Sequence, residues 1–393
     1  MTGRFLQKRL GALLLLAGAS APGFANIHCD SPERSREFFK ALEPQRKALA
    51  DGNVRELDTY FSSLLAQYAQ GKVGDVDVEA AFGIFFTSKA GNEPIHAAWV
   101  KAYPASEAAH LAQAQYYIRR AWAARGNAFR DKTSDIQMAA MDQGFEKAWK
   151  ALDAAEAPAK RPALEWAYRI GVLGAYGSRR GDAMGEIYRR TLKTDPAAVI
   201  ARVYYLNASS PRWGGSLERL AKIAEEAKTL DGPERRYVEY KANFEIGDDY
   251  RLREDDKRAV EYFERAMPLC PAMADASAGA MRIYVSAKNW PALVAASTRY
   301  IAAAPGEGWG WATRAYAYGM LNDLEKSFKD YEHAMQLGYA HAYEGLAWFY
   351  EAGQGGVRRD FAKAIDLHMA AHEKGVAGAK DRADKLRART GLK

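Results

Sequence analysis

The chain has 393 residues, of which 48% are apolar, 27% charged and 12% aromatic, with two cysteines and a formal net charge of +7. Together with a mean hydropathy of −0.39, this excludes a polytopic membrane protein and a disordered tail. Two cysteines exclude a disulfide-dense miniprotein and a Cys-rich zinc module.

Residues 1–25 open with Arg4, Lys8 and Arg9, continue through the apolar run Leu10 to Ala17, and end in small residues at Gly23-Phe24-Ala25. A basic end, a short apolar core and small residues at the −3 and −1 positions predict a cleaved signal peptide, hence a periplasmic or secreted protein. The apolar run is too short to span a bilayer, and no later segment predicts membrane insertion. Cleavage lowers the net charge by three, to +4. The remaining basic residues are scattered among acidic ones, which argues against a nucleic-acid partner.

Residues 26–232 read as a degenerate helical-repeat domain. Helical periodicity marks 36–50, 54–70, 78–87, 105–125 and 137–155, and Glu165 to Pro196 reads as a helix pair. Ser106 after Pro104 sets a helix start. A helix ending near Asn207 then leads into Pro211-Arg212-Trp213-Gly214-Gly215-Ser216, with a further helix from Leu217. This loop, with the earlier phrase Trp122-Ala123-Ala124-Arg125-Gly126, resembles an uncharacterised bacterial family of secreted helical proteins over roughly 45–270. That resemblance implies architecture and no chemistry.

Residues 233–393 carry a period of 34. With position 1 at Tyr240, Ala259, Phe263, Ala266 and Pro271 fall at positions 20, 24, 27 and 32. With position 1 at Gly308, Trp311, Ala315, Tyr318, Ser327, Tyr331 and Ala334 fall at 4, 8, 11, 20, 24 and 27. These residues resemble the tetratricopeptide repeat, in which small residues let paired helices approach and aromatics fill the gaps. The unit between them, from Ala274, departs: Met281, Leu293 and Tyr300 stand where small residues are expected. Leu346-Ala347, Tyr350, Gly353, Gly355-Gly356-Val357, Asp360 and Lys363-Ala364 then resemble a Sel-one-like repeat, and 376–393 reads as a polar capping helix. The predicted fold is an all-α solenoid of antiparallel helix pairs.

The chemistry-bearing residues mostly favour structural readings. No nucleophile elbow, phosphate loop or metalloprotease motif occurs, so no catalytic residue and no cofactor is expected. Gly171, Gly174 and Gly177 sit in a helical pattern and follow no strand, so they are not a dinucleotide fingerprint. His368 and His372 read as solvated helix histidines and not as a metal pair. A chain cut after Ala25 would begin Asn26-Ile27-His28, a nitrogen set suited to Cu(II) or Ni(II), although a chance third-position histidine is the preferred reading. Cys29 and Cys270 are permitted to pair in an exported chain, but they lie far apart along the array and pairing stays open. Loop residues Arg212, Trp213, Gly214, Gly215 and Ser216 read as a core plug and turn, with an anion site at the following helix N-terminus as the alternative.

The repeat resemblance also implies a concave face lined by first-helix positions 2, 5, 9 and 12. From these positions the predicted partner-binding set is Arg282, Trp309, Tyr316, Glu344, Trp348 and Glu351. Exposed tryptophans suit hot-spot contacts to a protein or peptide. The expected function is non-catalytic docking of a protein partner. The alternatives are a neutraliser of a secreted toxin or lipase, and an envelope enzyme acting on glycan or lipid near Trp213.

Overall fold

The computed structural model describes residues 29–86, 90–126, 132–176 and 182–392. The residues of the Asn26-Ile27-His28 reading, and the predicted signal peptide, lie outside these. The described residues form α-helices and short 3-10 turns with no strand. They fall into two compact units, Glu33–Asp249 and the C-terminal unit, which joins Tyr250–Lys393 to the described residues before Glu33.

The N-terminal unit begins with α1 (Pro32–Ala41) and α2 (Glu43–Asp51). The predicted helix 36–50 is broken at Leu42, because Pro44 seats best in a first helical turn. In α3 (Val54–Ala69), Asn53 caps the N-terminus and Leu57, Phe61, Leu64, Leu65 and Tyr68 are buried at helical spacing. Phe61 centres an aromatic core, with ring centroids 4.8 Å from both Phe82 and Phe85. These rings come from α4 (Asp75–Phe82) and the turn after it, and Trp99 joins them from α5 (Glu93–Ala102). The long helices α6 (Glu107–Arg125) and α7 (Asp135–Glu156) start at serine caps, Ser106 and Ser134.

The helix α8 (Ala163–Gly174) packs between α9 (Ala183–Thr194) and α10 (Val199–Ala208). Its glycines are close-approach residues. A Cβ on Gly171 would meet the Tyr204 ring at 2.6 Å, and one on Gly174 would meet the Ala208 Cβ. Residue Ala198 cannot cap α10 with its side chain, and Asp75 of α4 does so instead. Its Oδ2 accepts from the Val199 and Ile200 amides at 2.7 and 2.9 Å, satisfying donors that a helix start leaves unpaired. Helices α11 (Leu217–Glu226) and α12 (Gly232–Leu252) follow.

The C-terminal unit realises the 34-residue period as helix pairs. Tyr250, in the last turn of α12, stacks on Tyr262 of α13 (Asp256–Ala266) with ring centroids 5.7 Å apart, α14 (Asp275–Ser286) pairs with α15 (Trp290–Ala303), and α16 (Gly308–Met320) with α17 (Leu324–Gln336). The Sel-one-like pair is α18 (Ala340–Ala352) and α19 (Phe361–Glu373), and α20 (Ala379–Thr390) ends the array. Small residues sit where helices touch: the Ser327 hydroxyl donates to the Ala315 carbonyl across the α16–α17 pair at 2.7 Å.

The unit from Ala274 is not loose. In its neighbours, the position-24 aromatic lies on a position-6 glycine of the next helix, Phe263 on Gly279 and Tyr331 on Gly345. Here the aromatic is Tyr300, three residues later, and the glycine is Gly310, three residues earlier. Consecutive helices run antiparallel, so one turn forward on the first meets one turn back on the second. Met281 and Leu293 are fully buried in this arrangement.

Cys29 and Cys270 form a disulfide across 241 residues of sequence. Both are buried, and the Ala272 amide donates to the Cys29 carbonyl at 3.1 Å. The pairing left open by the sequence is therefore made inside the C-terminal unit.

Candidate protein-docking face

Helices α14, α16 and α18 are the first helices of successive pairs, and they place the predicted docking residues very unequally. Arg282 on α14 is exposed, with its guanidinium 5.8 Å from the centre of the Trp309 ring. Trp309 on α16 is half-buried and stands edge-on to Tyr300 at 5.0 Å. Tyr316 is 3% exposed, because Trp290, Met320 and Trp348 pack over it. Trp290 lies edge-on to it at 5.5 Å. Trp348 on α18 is half-buried against Phe349.

The face is thus a row of half-exposed aromatic and thioether side chains, Trp290, Met320 and Trp348, backed by buried Tyr316, while Trp309, about two turns before Tyr316 on α16, pairs with Arg282. Trp290 and Met320 were missed in the sequence because only first-helix positions 2, 5, 9 and 12 were read. Trp290 starts a second helix, directly after its Asn289 cap.

Glu344 and Glu351 do not belong to this row. Glu344 is 6% exposed and faces α19 and α20. Its Oε1 lies 2.8 Å from His368 Nδ1, and its other oxygen pairs with Arg382. Glu351 Oε1 lies 3.0 Å from His368 Nε2, and Arg389 reaches its second oxygen at 3.2 Å. His368 is therefore a buried bridge, correcting the expectation of a solvated histidine, while His372 is exposed as expected. Burial alone would discharge the imidazole, but hydrogen bonds to two carboxylates outweigh it and raise its pKa above 6.5. The same contacts lower the pKa of Glu351.

The Trp213 loop packs within the N-terminal unit. Trp213 meets Trp122 edge-on at 5.7 Å, and Arg125 lies over both rings. The two phrases noted in the sequence thus converge. Arg212 is held by Glu245 at 2.8 Å and Asp248 at 3.3 Å. Gly214 has φ +88°, and a Cβ on Gly215 would collide with the Ser209 carbonyl. Ser216 caps α11 through the Arg219 amide. Trp213 is only partly buried and so is not the core plug that the sequence suggested, and Arg212 pairs with two carboxylates.

Among the described residues, no group of three or more His, Cys, Asp or Glu is placed to hold a metal ion. No helix among them is long and apolar enough to cross a membrane.

The helix pairs and their spacing define an all-α solenoid, the fold class that the resemblance to tetratricopeptide and Sel-one-like repeats implies. A family model described as Domain of unknown function (DUF4034) matches residues 42–178, less than half of the chain. No curated protein matches the sequence. Among solved structures, the chain is similar to a Sel1 repeat protein from Oxalobacter formigenes at 14% identity, covering 95% of this chain and 99% of that one with a TM-score of 0.41. It is also similar to c5321, a protective antigen of uropathogenic Escherichia coli with an SLR fold, at 11% identity, 100% and 81% coverage and a TM-score of 0.41. Yeast Tom70 is similar at 15% identity, 99% and 82% coverage and a TM-score of 0.34. None of these superpositions is close enough to bear on function.

Proposed function

We propose that the chain is an exported, non-catalytic docking protein that captures a protein or peptide on the aromatic row of its C-terminal unit. The observation behind this reading is the packing of half-exposed Trp290, Met320 and Trp348 over Tyr316, with the Arg282–Trp309 pair about two turns away along α16. Tryptophan and arginine are the side chains most enriched among binding hot spots, and methionine adapts to irregular partners. Helical-repeat arrays commonly use such surfaces for protein interaction. Export is supported by the N-terminal sequence and by the Cys29–Cys270 bond, which persists in an oxidising compartment.

The test is affinity capture from a periplasmic extract, run in parallel with the wild type and a Trp309→Ala, Trp348→Ala double variant. A partner retained by the wild type and lost by a still-helical double variant supports docking on this row. Equal retention by both places docking elsewhere.

A further inference from the structure

The aromatic row ends at Trp348, and one turn further along α18 a pair of arginines converges. Arg359, in the turn between α18 and α19, donates from Nη2 to the Ala352 carbonyl at 3.3 Å. Arg389, on the capping helix α20, donates from Nη2 to Glu351 Oε2 at 3.2 Å. Glu351 and Ala352 stand at the i+3 and i+4 positions from Trp348, so both are its neighbours on the helix. The guanidiniums also meet at one ring. The centroid of Phe361, on α19, lies 5.9 Å from the Arg359 guanidinium carbon and 5.7 Å from that of Arg389.

The backbone sets the position of Arg359. Gly353, the left-handed cap of α18, lies so close that a Cβ on it would meet the Arg359 amide nitrogen at 3.0 Å. The Asp360 amide donates to the Tyr350 carbonyl at 2.8 Å. The turn is therefore fastened to the end of α18 before any partner arrives, which lowers the ordering cost of binding.

Charge at this corner is not balanced from within. Arg358 and Arg359 are exposed, and neither has a carboxylate at ion-pair distance among the described residues. The carboxylates alongside are already engaged. Glu351 is shared by His368 and Arg389, and Asp360 caps α19 through the Lys363 amide at 2.9 Å. Arg389 spends a single hydrogen bond on Glu351 and keeps an exposed side chain. A guanidinium presents five donors in a planar fork that fits a carboxylate. Around Trp309 the balance differs, because Asp275 and Glu307 stand near its neighbour Tyr300 and Arg282 opposes them. Acidic groups are thus favoured at the Trp348 end of the face.

We propose that the segment docked on the aromatic row is an acidic peptide, with an apolar residue seated on Trp290, Met320 and Trp348 and with Asp or Glu side chains beside it paired to Arg358, Arg359 and Arg389. This rests on the docking reading above and adds the partner's charge. Complementary charge at the rim of an apolar contact selects the partner and fixes its direction.

The experiment is a fluorescence-anisotropy titration of the full chain with a pair of end-blocked peptides. They share an apolar centre of leucine and phenylalanine and differ only in their flanks, aspartate in one and lysine in the other. The aspartate peptide should saturate, bind at least about tenfold more tightly than the lysine peptide, and weaken between about 50 mM and about 500 mM salt. Arg358→Glu with Arg359→Glu alters exposed turn positions and should weaken the aspartate peptide about tenfold while sparing the lysine peptide. Arg389→Gln is an independent variant with the same expected direction. Equal affinity for both peptides, or an aspartate peptide that none of these variants weakens, overturns the proposal and leaves docking on the row standing. Weakening by the arginine variants with no effect of Trp309→Ala and Trp348→Ala supports the acidic preference and overturns the row. No saturation with either peptide at about 1 mM overturns the proposal. So does binding to phosphatidylglycerol vesicles in place of the aspartate peptide, which would make the corner a lipid contact.

Discussion

Tyr300 rests on Gly310, where a Cβ would lie 2.5 Å from the tyrosine Cδ1. This contact replaces, one turn displaced on both helices, the aromatic-on-glycine contact of the flanking repeats. Gly310→Ala should therefore overpack the α15–α16 junction and cost about 1–3 kcal/mol. Gly306, in the preceding turn, has open space around its Cα and no positive φ, so Gly306→Ala should be neutral. Thermal melts of the two variants check this, and equal melting temperatures would remove the compensated-register account.

The His368 bridge gives the C-terminal unit a pH dependence of defined sign. Its raised pKa means that its stabilisation is complete below the unfolded value of 6.5 and is lost as pH rises through the folded value. Glu351 acts oppositely, contributing above its unfolded value of 4.5 and losing its contribution as pH falls through its lowered folded value. His368→Ala leaves two carboxylates without their shared cation and should cost roughly 3 kcal/mol at about pH 6. The penalty should shrink as pH is raised toward about 9 and the wild-type imidazole loses its proton. Denaturant melts of both proteins at the two pH values decide it.

The N-terminal unit carries buried carboxyls with raised pKa values. Burial, reinforced by Glu107, lifts Glu165 to about 8, and burial lifts Glu107 itself to about 7. Such groups favour the folded state below the unfolded pKa of 4.5, and that stabilisation is lost as pH rises toward 8. Glu165→Gln mimics the protonated carboxyl. It should melt with the wild type at about pH 5 and above it at about pH 9. A variant less stable at both pH values would mean that Glu165 has an ionised role.

The disulfide closes a loop that contains the whole N-terminal unit. Chain entropy sets an upper figure of roughly 5 kcal/mol for a loop of this length. Treatment with a dithiol, or Cys270→Ser, should lower the melting temperature of the C-terminal unit by several degrees while leaving its helices formed. Intact-mass analysis before and after alkylation measures the bond directly, and two free thiols in protein purified without reductant would contradict it.

Much of the repeat architecture was legible because its signals are local. Positions 8, 20, 24 and 27 recur within one helix pair, and the helices from Asp275 and Gly308 begin within a residue of the predicted registers. The turn Gly353-Gln354-Gly355-Gly356 was readable for the same reason, since Gly353, Gly355 and Gly356 all take positive φ. The Tyr300–Gly310 exchange was not, because each residue alone looks like a departure and only antiparallel packing makes them compensate. His368 was misread because its partners lie 24 and 17 residues away on another helix. That same network withdrew Glu344 and Glu351 from the docking face.

The most direct measurement is the dissociation constant of the captured partner for the wild type and for Trp309→Ala with Trp348→Ala, with circular dichroism on both. The double variant should keep its helical content, melt a few degrees lower, and bind at least about tenfold more weakly. An unchanged dissociation constant in the double variant would contradict docking on the aromatic row.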